Sequence, residues 1–439
     1  MFFSPFHYVY LSLIYPPMNN YSFIEKQDQE VFQALVGEET RQSEGVELIP
    51  SENYVSKAVL EALGSAMTNK YSEGLPGKRY YGGQEYTDSI ETLAIERAKK
   101  LFGAAFANVQ PLSGAPANLS VYHALLTPGD TVLGMDLGHG GHLTHGHPMT
   151  ISAQLFRFVT YKMKNADTGE IDYDEMREVA KKERPKLIIA GFSAYARELD
   201  YAMFVSIARE VGAYTMADIA HIAGLIAGGV AKNPFLEGFD IITTTTHKTL
   251  RGPRGGMVLV REDEELMKKI NKTIFPGLQG GPHMNNIAGK AVAFGEALTP
   301  AFGEYTKRVI QNAKAMEAVF AREGIRMLGG GTSNHLILAD VASSLSVTGK
   351  EAQEILDEVG ITLNKNAIAD DPRPANDPSG IRFGTPAITT RGFGEEECAR
   401  VAELIIETLR YKNDVQKKSA IREEIRALAL RFPIPDLFV

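Results

Sequence analysis

From about residue 50 onward the chain alternates short apolar runs with helical periodicity, and nothing else in it constrains the fold as strongly. The runs at 131–135 (TVLGM), 187–190 (LIIA), 213–217, 241–246 and 256–260 (GMVLV) are short and apolar throughout, as strands buried on both faces are. Residues 86–102 place Ile90, Leu93, Ala94 and Leu101 at helical spacing, and 173–183 and 202–211 read as helices too. Strand–helix alternation of this kind predicts an α/β fold with a mostly parallel sheet between helices. After about residue 290 the pattern changes to long amphipathic helices (304–323, 394–411, 413–431) with shorter strands, predicting a smaller α/β lobe. A chain of 439 residues exceeds one compact core. The division expected is a helical arm over 18–50, a large domain over 51–290 and a small C-terminal domain over 291–439.

Composition removes several classes of function. Forty-six basic against 54 acidic residues give a net charge of −8, and no basic run carries interleaved aromatics, so nucleic acid is not an expected partner. The single cysteine, Cys398, excludes an internal disulfide framework and a cysteine-based metal site, and fits a reducing, cytoplasmic setting. Residues 1–17 are apolar, but they lack Lys and Arg, are broken by Pro5, Pro16 and Pro17, and are too short to span a bilayer. They read as a non-native or disordered extension ahead of Met18, and no membrane association is expected.

Chemistry concentrates in a few segments. The β-branched run ending at Thr246 is followed by Lys248 in THKTLRGPRGG, and Asp218 ends the apolar run 213–217. A lysine at a strand end is either a surface charge or a Schiff-base amine, and an aspartate able to pair with a pyridine nitrogen favours the second. Together they are the minimal protein kit for pyridoxal phosphate. PLSGAPAN places Ser113, Gly114 and Ala115 at a helix start, where backbone amides can hold a phosphate. LGHGGHLTHGHP carries His139, His142, His145 and His147. Without neighbouring thiols or closely spaced carboxylates no metal is expected there; the glycines suggest close backbone approach to a planar ligand, with one histidine stacked on it, or else a polar loop. Glu73 lies among Tyr71, Tyr80 and Tyr81 in a Gly-rich loop, where a carboxyl group can be held protonated for proton transfer. Arg382, between apolar neighbours in GIRFG, suits either a carboxylate clamp or a structural ion pair.

Taken together, LIPSENY, TNKYSEGLPGKRYYGG, ANVQPLSG, HGGHLTHG, DIAHIAGL, TTTTHKTLRGPRGG, FPGLQGGP, LNKN and SGIRFGTPAITTRGF closely resemble serine hydroxymethyltransferases from about Val46 to Phe432. The resemblance implies a homodimer of the type I pyridoxal-phosphate transferase fold, with the active site shared across the subunit interface. It implies reversible transfer of the serine hydroxymethyl group to tetrahydrofolate, giving glycine and 5,10-methylenetetrahydrofolate. Lys248 would be the Schiff-base lysine, Asp218 the partner of the pyridine nitrogen and His142 the residue stacked on the ring. Ser193 and His221 would neighbour its phenolic oxygen, with His221 also near the substrate. Ser113, Gly114 and Ala115 would take the phosphate, with Tyr71 and Gly281 of the other subunit. Arg382, Ser51 and Tyr81 would bind the amino acid, Glu73 and Tyr71 would handle protons, and His247 would influence substrate choice. Leu137, Gly141, His142, Leu143 and Asn366 would lie along the folate site. The chain departs from the family's usual pattern at Leu112, Gly138, His147 and His283, and on the folate side at Pro374, Ala375 and Asn376. A folate-independent aldolase acting on threonine-like β-hydroxy amino acids is the nearest alternative, and a non-enzymatic regulator keeping the fold is a more distant one.

Overall fold

The computed structural model describes residues 21–434, so the segment 1–17 lies outside the described residues. Seven strands form the central sheet: β1 (Phe106–Asn108), β2 (Thr131–Met135), β3 (Arg157–Tyr161), β4 (Leu187–Gly191), β5 (Tyr214–Asp218), β6 (Ile241–Thr245) and β7 (Gly256–Val260). Their order is β1-β7-β6-β5-β4-β2-β3, and only β7 runs antiparallel to its neighbours. Alternate side chains divide cleanly between two cores. Leu133, Ile188, Ala190, Ile242 and Leu259 face one, while Val132, Leu187, Ile189, Ile241 and Val258 face the other. Both faces being covered, the strands read as unbroken apolar runs rather than as alternating ones.

The helices that position the site are α1 (Gln29–Glu44), α2 (Glu85–Phe102), α3 (Gly114–Leu125), α4 (Tyr173–Glu183), α5 (Tyr201–Val211), α6 (Met284–Ala297), α7 (Pro300–Arg322), α8 (Glu395–Arg410) and α9 (Val415–Arg431). Aspartates cap α4, α5 and α9: Asp172 accepts from Glu175 N at 2.9 Å, Asp200 from Met203 N at 3.3 Å and Asp414 from Lys417 N at 2.9 Å. A second, antiparallel sheet of β8 (Leu336–Asp340), β9 (Asn364–Asn366) and β10 (Gly380–Gly384), in the order β8-β10-β9, backs onto its own core with α8 and α9. Residue 290, where the sequence pattern changes, lies inside α6, whose Ile287, Ala291 and Phe294 belong to the large core. The handover comes within α7: Phe302, Tyr305 and Val309 pack on the large core, Met316, Val319 and Phe320 on the small one.

One arginine ties the two ends of the chain together. Arg391 donates to Gln42 O (3.0 Å), Ser43 O (2.9 Å) and Gly45 O (2.8 Å) at the end of α1, and to Ala429 O and Phe432 O (2.7 Å) at the end of α9. It thereby answers the free carbonyls of two helix C-termini with one guanidinium. Arg391→Met is expected to destabilise the protein by about 3–5 kcal/mol, because it strands buried polar groups as well as removing the cation. A urea midpoint equal to that of the parent protein would refute this.

Candidate active site

The loops that carry Ser113, the histidine cluster, Ser193, Asp218 and Lys248 leave the carboxyl ends of central strands, the rim where parallel α/β sheets bind ligands. Ser113 follows β1, Leu137 to His145 follow β2, Ser193 follows β4, Asp218 ends β5 and Lys248 follows β6. These residues are far apart in sequence and share one rim.

Asp218 and Lys248 are each 8% exposed. Asp218 Oδ2 accepts from Asn118 Nδ2 at 2.8 Å and lies 3.1 Å from His145 Nε2, while Oδ1 accepts from Ala220 N at 3.1 Å. Burial alone would raise its carboxyl; the donors from His145 and Asn118 more than offset that and hold it ionised, well below the usual carboxylate range. His145 Nδ1 accepts the His142 backbone N–H at 3.4 Å, which leaves Nε2 as the donor facing Asp218. Burial pushes the Lys248 ammonium down to about 8, partly opposed by Asp218 and assisted by Arg382 and Arg254. Its backbone is fixed too, since Lys248 O accepts from Asn53 Nδ2 and from Arg251 N, both at 3.0 Å.

Burial holds several of the histidines neutral. His142 is pushed down to about 4 and His247 to about 3, while His221 falls well below its ordinary value. His221 Nδ1 lies 3.4 Å from Nε2 of the fully buried His335, their rings stacked at 5.5 Å. The glycines of the histidine loop let the protein's own backbone approach closely: a side chain on Gly141 would meet Met135 O at 2.2 Å, and one on Gly140 would meet Ala194 O at 2.6 Å. The carboxylate that the spacing lacked is supplied 73 residues later, because His142, His145 and Asp218 bring ligand-type atoms within 4.8 Å of one another. Each of these groups already has protein partners: His145 and Asp218 have one another, and His142 Nδ1 has Thr144, at 2.7 Å from its Oγ1 and 3.2 Å from its N. Of the other two, His139 is buried 3.4 Å from Asp370 of the small lobe, and His147 accepts the Met149 N–H at 3.2 Å.

Arg382 reaches across from β10 to donate to Ser193 O, and its Nε donates to Asn364 Oδ1 at 3.2 Å. Among the described residues it makes no ion pair, so the guanidinium keeps donors for a carboxylate from elsewhere. Ser51 lies in the turn after the short strand Val46–Glu47, where Pro50 packs on Gly384 of the same β10. At the start of α3, Ser113 makes no capping hydrogen bond, which leaves the amides of the first turn without a side-chain partner. A side chain on Gly256 would strike Ser113 O at 2.3 Å, so the loop lies flat on β7. An uncapped helix start, a buried lysine whose ammonium is pushed down, an ionised aspartate and an arginine without an ion-pair partner form a set of groups that fits pyridoxal phosphate.

A second group stands apart. Tyr71 (58% exposed) and Tyr81 (50% exposed) meet edge-to-face at 5.4 Å. Glu73 lies beside Tyr81 and raises its hydroxyl, and a side chain on Gly281 would touch the Tyr71 ring at 3.2 Å. Among the described residues, no hydrogen bond or ion pair joins this group to Lys248, Asp218 or Arg382. Of the residues expected along a folate site, Leu143 is exposed and Asn366 donates to Ala367 O at 2.7 Å. Pro374, Ala375 and Asn376 form the exposed tip of a loop closed by Asp371, which accepts from Ile368 N, Arg373 N, Ser379 N and Ser379 Oγ. Lys365 Nζ holds that tip through Asn376 O at 3.0 Å.

Sequence reading missed the residues that act through others. Asn53, Asn118, His145 and Asn364 lie inside motifs read for their neighbours, and His335 lies in none. A polar Asn118 on the apolar helix α3 and a histidine in the strand-like NHLILAD were signals that could have singled two of them out.

A sequence profile described as serine hydroxymethyltransferase matches residues 24–405. The chain is similar to a protein named serine hydroxymethyltransferase from Synechococcus sp. (strain JA-3-3Ab), 53% identical over 429 residues, covering 95% of this chain and 98% of that one. It is also similar to the protein of the same name from Methylococcus capsulatus, 53% identical over 407 residues, covering 93% and 97%.

Proposed function

Because the chain belongs to the serine hydroxymethyltransferase family, we propose the following roles for its own residues in the family's reaction. That reaction is the reversible transfer of the serine hydroxymethyl group to tetrahydrofolate, giving glycine and 5,10-methylenetetrahydrofolate, with pyridoxal 5′-phosphate as cofactor. Bound there, the cofactor supplies a sink for the electron pair released when the serine Cα–Cβ bond breaks. Asp218, ionised and held by three donors, keeps a proton on the ring nitrogen. Lys248 offers its buried amine to the cofactor's aldehyde carbon, and His142 covers the ring face. His221 and Ser193 adjoin the phenolic oxygen, while Ser113, Gly114 and Ala115 receive the phosphate at the start of α3. Arg382 binds the amino-acid carboxylate with Ser51 and Tyr81 nearby. Glu73 and Tyr71 move the proton at the hydroxymethyl oxygen, and His247 shapes substrate choice. Leu137, Gly141, Leu143, Asn366 and the Pro374 to Asn376 tip line the folate side.

The observation that carries this assignment is the pairing of a buried Lys248 with an Asp218 held ionised, facing an Arg382 without an acidic partner. The exposed Tyr71 and Tyr81, grouped with the half-buried Glu73 and Gly281, support a homodimer in which each subunit completes the other's site. The same reading gives an N-terminal arm over 18–50 and a large cofactor domain from 51, with the change to the small domain in α7 rather than at 290. A cytoplasmic setting is supported by the lone Cys398 and the −8 charge. Among the described residues no helix is long and apolar enough to cross a membrane.

Neither the family nor the relatives' names favour the folate-independent aldolase. Serine cleavage by the purified protein is expected to accelerate strongly when tetrahydrofolate is added, and glycine is expected to shift the cofactor's absorbance band. Serine cleavage indifferent to tetrahydrofolate, beside brisk threonine cleavage, would establish the aldolase instead.

A further inference from the structure

We propose that Lys290 is a positioning residue for the cofactor phosphate, holding from the core side the segment that delivers Ser113, Gly114 and Ala115 to it. The inference rests on the assignment of the phosphate to that helix start.

Lys290 sits on α6 and is 1% exposed. Its Nζ donates to Val109 O at 2.6 Å, Pro111 O at 3.0 Å and Gly256 O at 2.9 Å, so all three ammonium protons are used on main-chain carbonyls. Val109 and Pro111 belong to the link from β1 to Ser113, and Gly256 opens β7. Pro111 O also accepts the Gly256 N–H at 2.9 Å, which closes the knot between the loop and the sheet. From the other side Gln279 grips the same link, accepting from Leu112 N at 3.0 Å and donating to Gln110 O at 3.1 Å. The path into the phosphate loop is therefore clamped between a buried cation and a side-chain amide.

The cost of that arrangement points the same way. Glu91, the buried carboxylate whose field reaches Lys290, is already taken by Arg79 at 2.6 Å and Gln110 at 2.7 Å, and Arg79 pairs with Asp88 as well at 2.8 Å. Among the described residues Lys290 has no carboxylate within ion-pair distance, and burial pushes its ammonium down to about 7. Burying an ammonium on carbonyls alone is costly when an aliphatic chain would fill the same space. Fixing the backbone that leads to the phosphate-binding helix start gives that cost a purpose.

The test compares binding of pyridoxal phosphate and of pyridoxal, which lacks the phosphate, to the full-length protein freed of cofactor and retitrated, read by equilibrium dialysis. Lys290→Met is expected to weaken pyridoxal phosphate by about tenfold or more, the equivalent of one charged hydrogen-bond contribution. Pyridoxal affinity should change by less than about twofold on the same scale. Equal weakening of both ligands, or of neither, overturns the proposal. Should Lys290→Met fail to fold, Gly255→Ala serves: its Cβ would fall 2.4 Å from Lys290 Cε and 2.9 Å from Nζ, displacing the ammonium without removing it. A phosphate-selective loss in that variant supports the proposal, and unchanged selectivity overturns it. Ser113→Ala separates the two layers of the argument. If it too shows no phosphate selectivity, the phosphate assignment itself falls; if it is selective while Lys290→Met is not, only the role of Lys290 falls.

Discussion

Replacing Lys248 with alanine is expected to lower serine turnover by about a thousandfold or more, the scale on which removal of a catalytic nucleophile acts. The cofactor's absorbance band should vanish with it. Nothing else on the rim can substitute, because the other lysine buried nearby, Lys290, has its ammonium committed to three carbonyls. The same lysine sets a pH dependence. Burial brings its ammonium down to about 8, and only the neutral amine attacks an aldehyde, so cofactor capture by the cofactor-free protein should quicken as pH rises from 7 to 9 and then level off. Stopped-flow absorbance after mixing with pyridoxal phosphate would read this directly. A Lys248→Ala protein that keeps both turnover and the band would remove the assignment, and a capture rate flat across that range would remove the pH argument.

The second large effect is expected at Asp218. Asp218→Asn keeps the shape but removes the charge, so the ring nitrogen loses its proton and the electron sink weakens. Turnover should fall by about a hundred- to a thousandfold, the range for losing a preorganised electrostatic group. Cofactor should remain bound, since Lys248 is untouched. An asparagine also offers one acceptor oxygen where Asn118, His145 and Ala220 now supply three donors. His145→Ala would then show a smaller loss of turnover with the cofactor retained. An Asp218→Asn enzyme within fivefold of the parent's turnover would show that the ring nitrogen is not held through this carboxylate.

Much of this molecule can be read from its residues in order. The apolar runs become β2, β4, β5, β6 and β7 within a residue or two, because strands covered on both faces leave an uninterrupted signature. Lys248 and Asp218 were legible because each ends or follows such a run. What stayed hidden depends on the sheet order. His145 meets Asp218 only because β2 lies two strands from β5, and His335 reaches His221 only because the small lobe backs onto the rim. β1 and β3 were missed as short or mixed sequences whose strand character comes from pairing with neighbours. The turn at 290 marks a change of surface pattern, whereas the two cores exchange along α7, deeper than surface periodicity reports. Lys290 did leave a trace, as a lone charge in the apolar stretch IAGKAVAF.

The one reversed strand has its own implication. Every other rim loop leads into a crossover and returns to the sheet only after a helix, but residues 246–255 join β6 to β7, which are paired along their whole length from Ile241–Val260 to Thr245–Gly256. A loop pinned at both feet to adjacent strands cannot swing away without unzipping them. The amine of Lys248 therefore travels on a leash no longer than its own side chain: in its proposed role, it would stay within a few bonds' reach of a cofactor bound there.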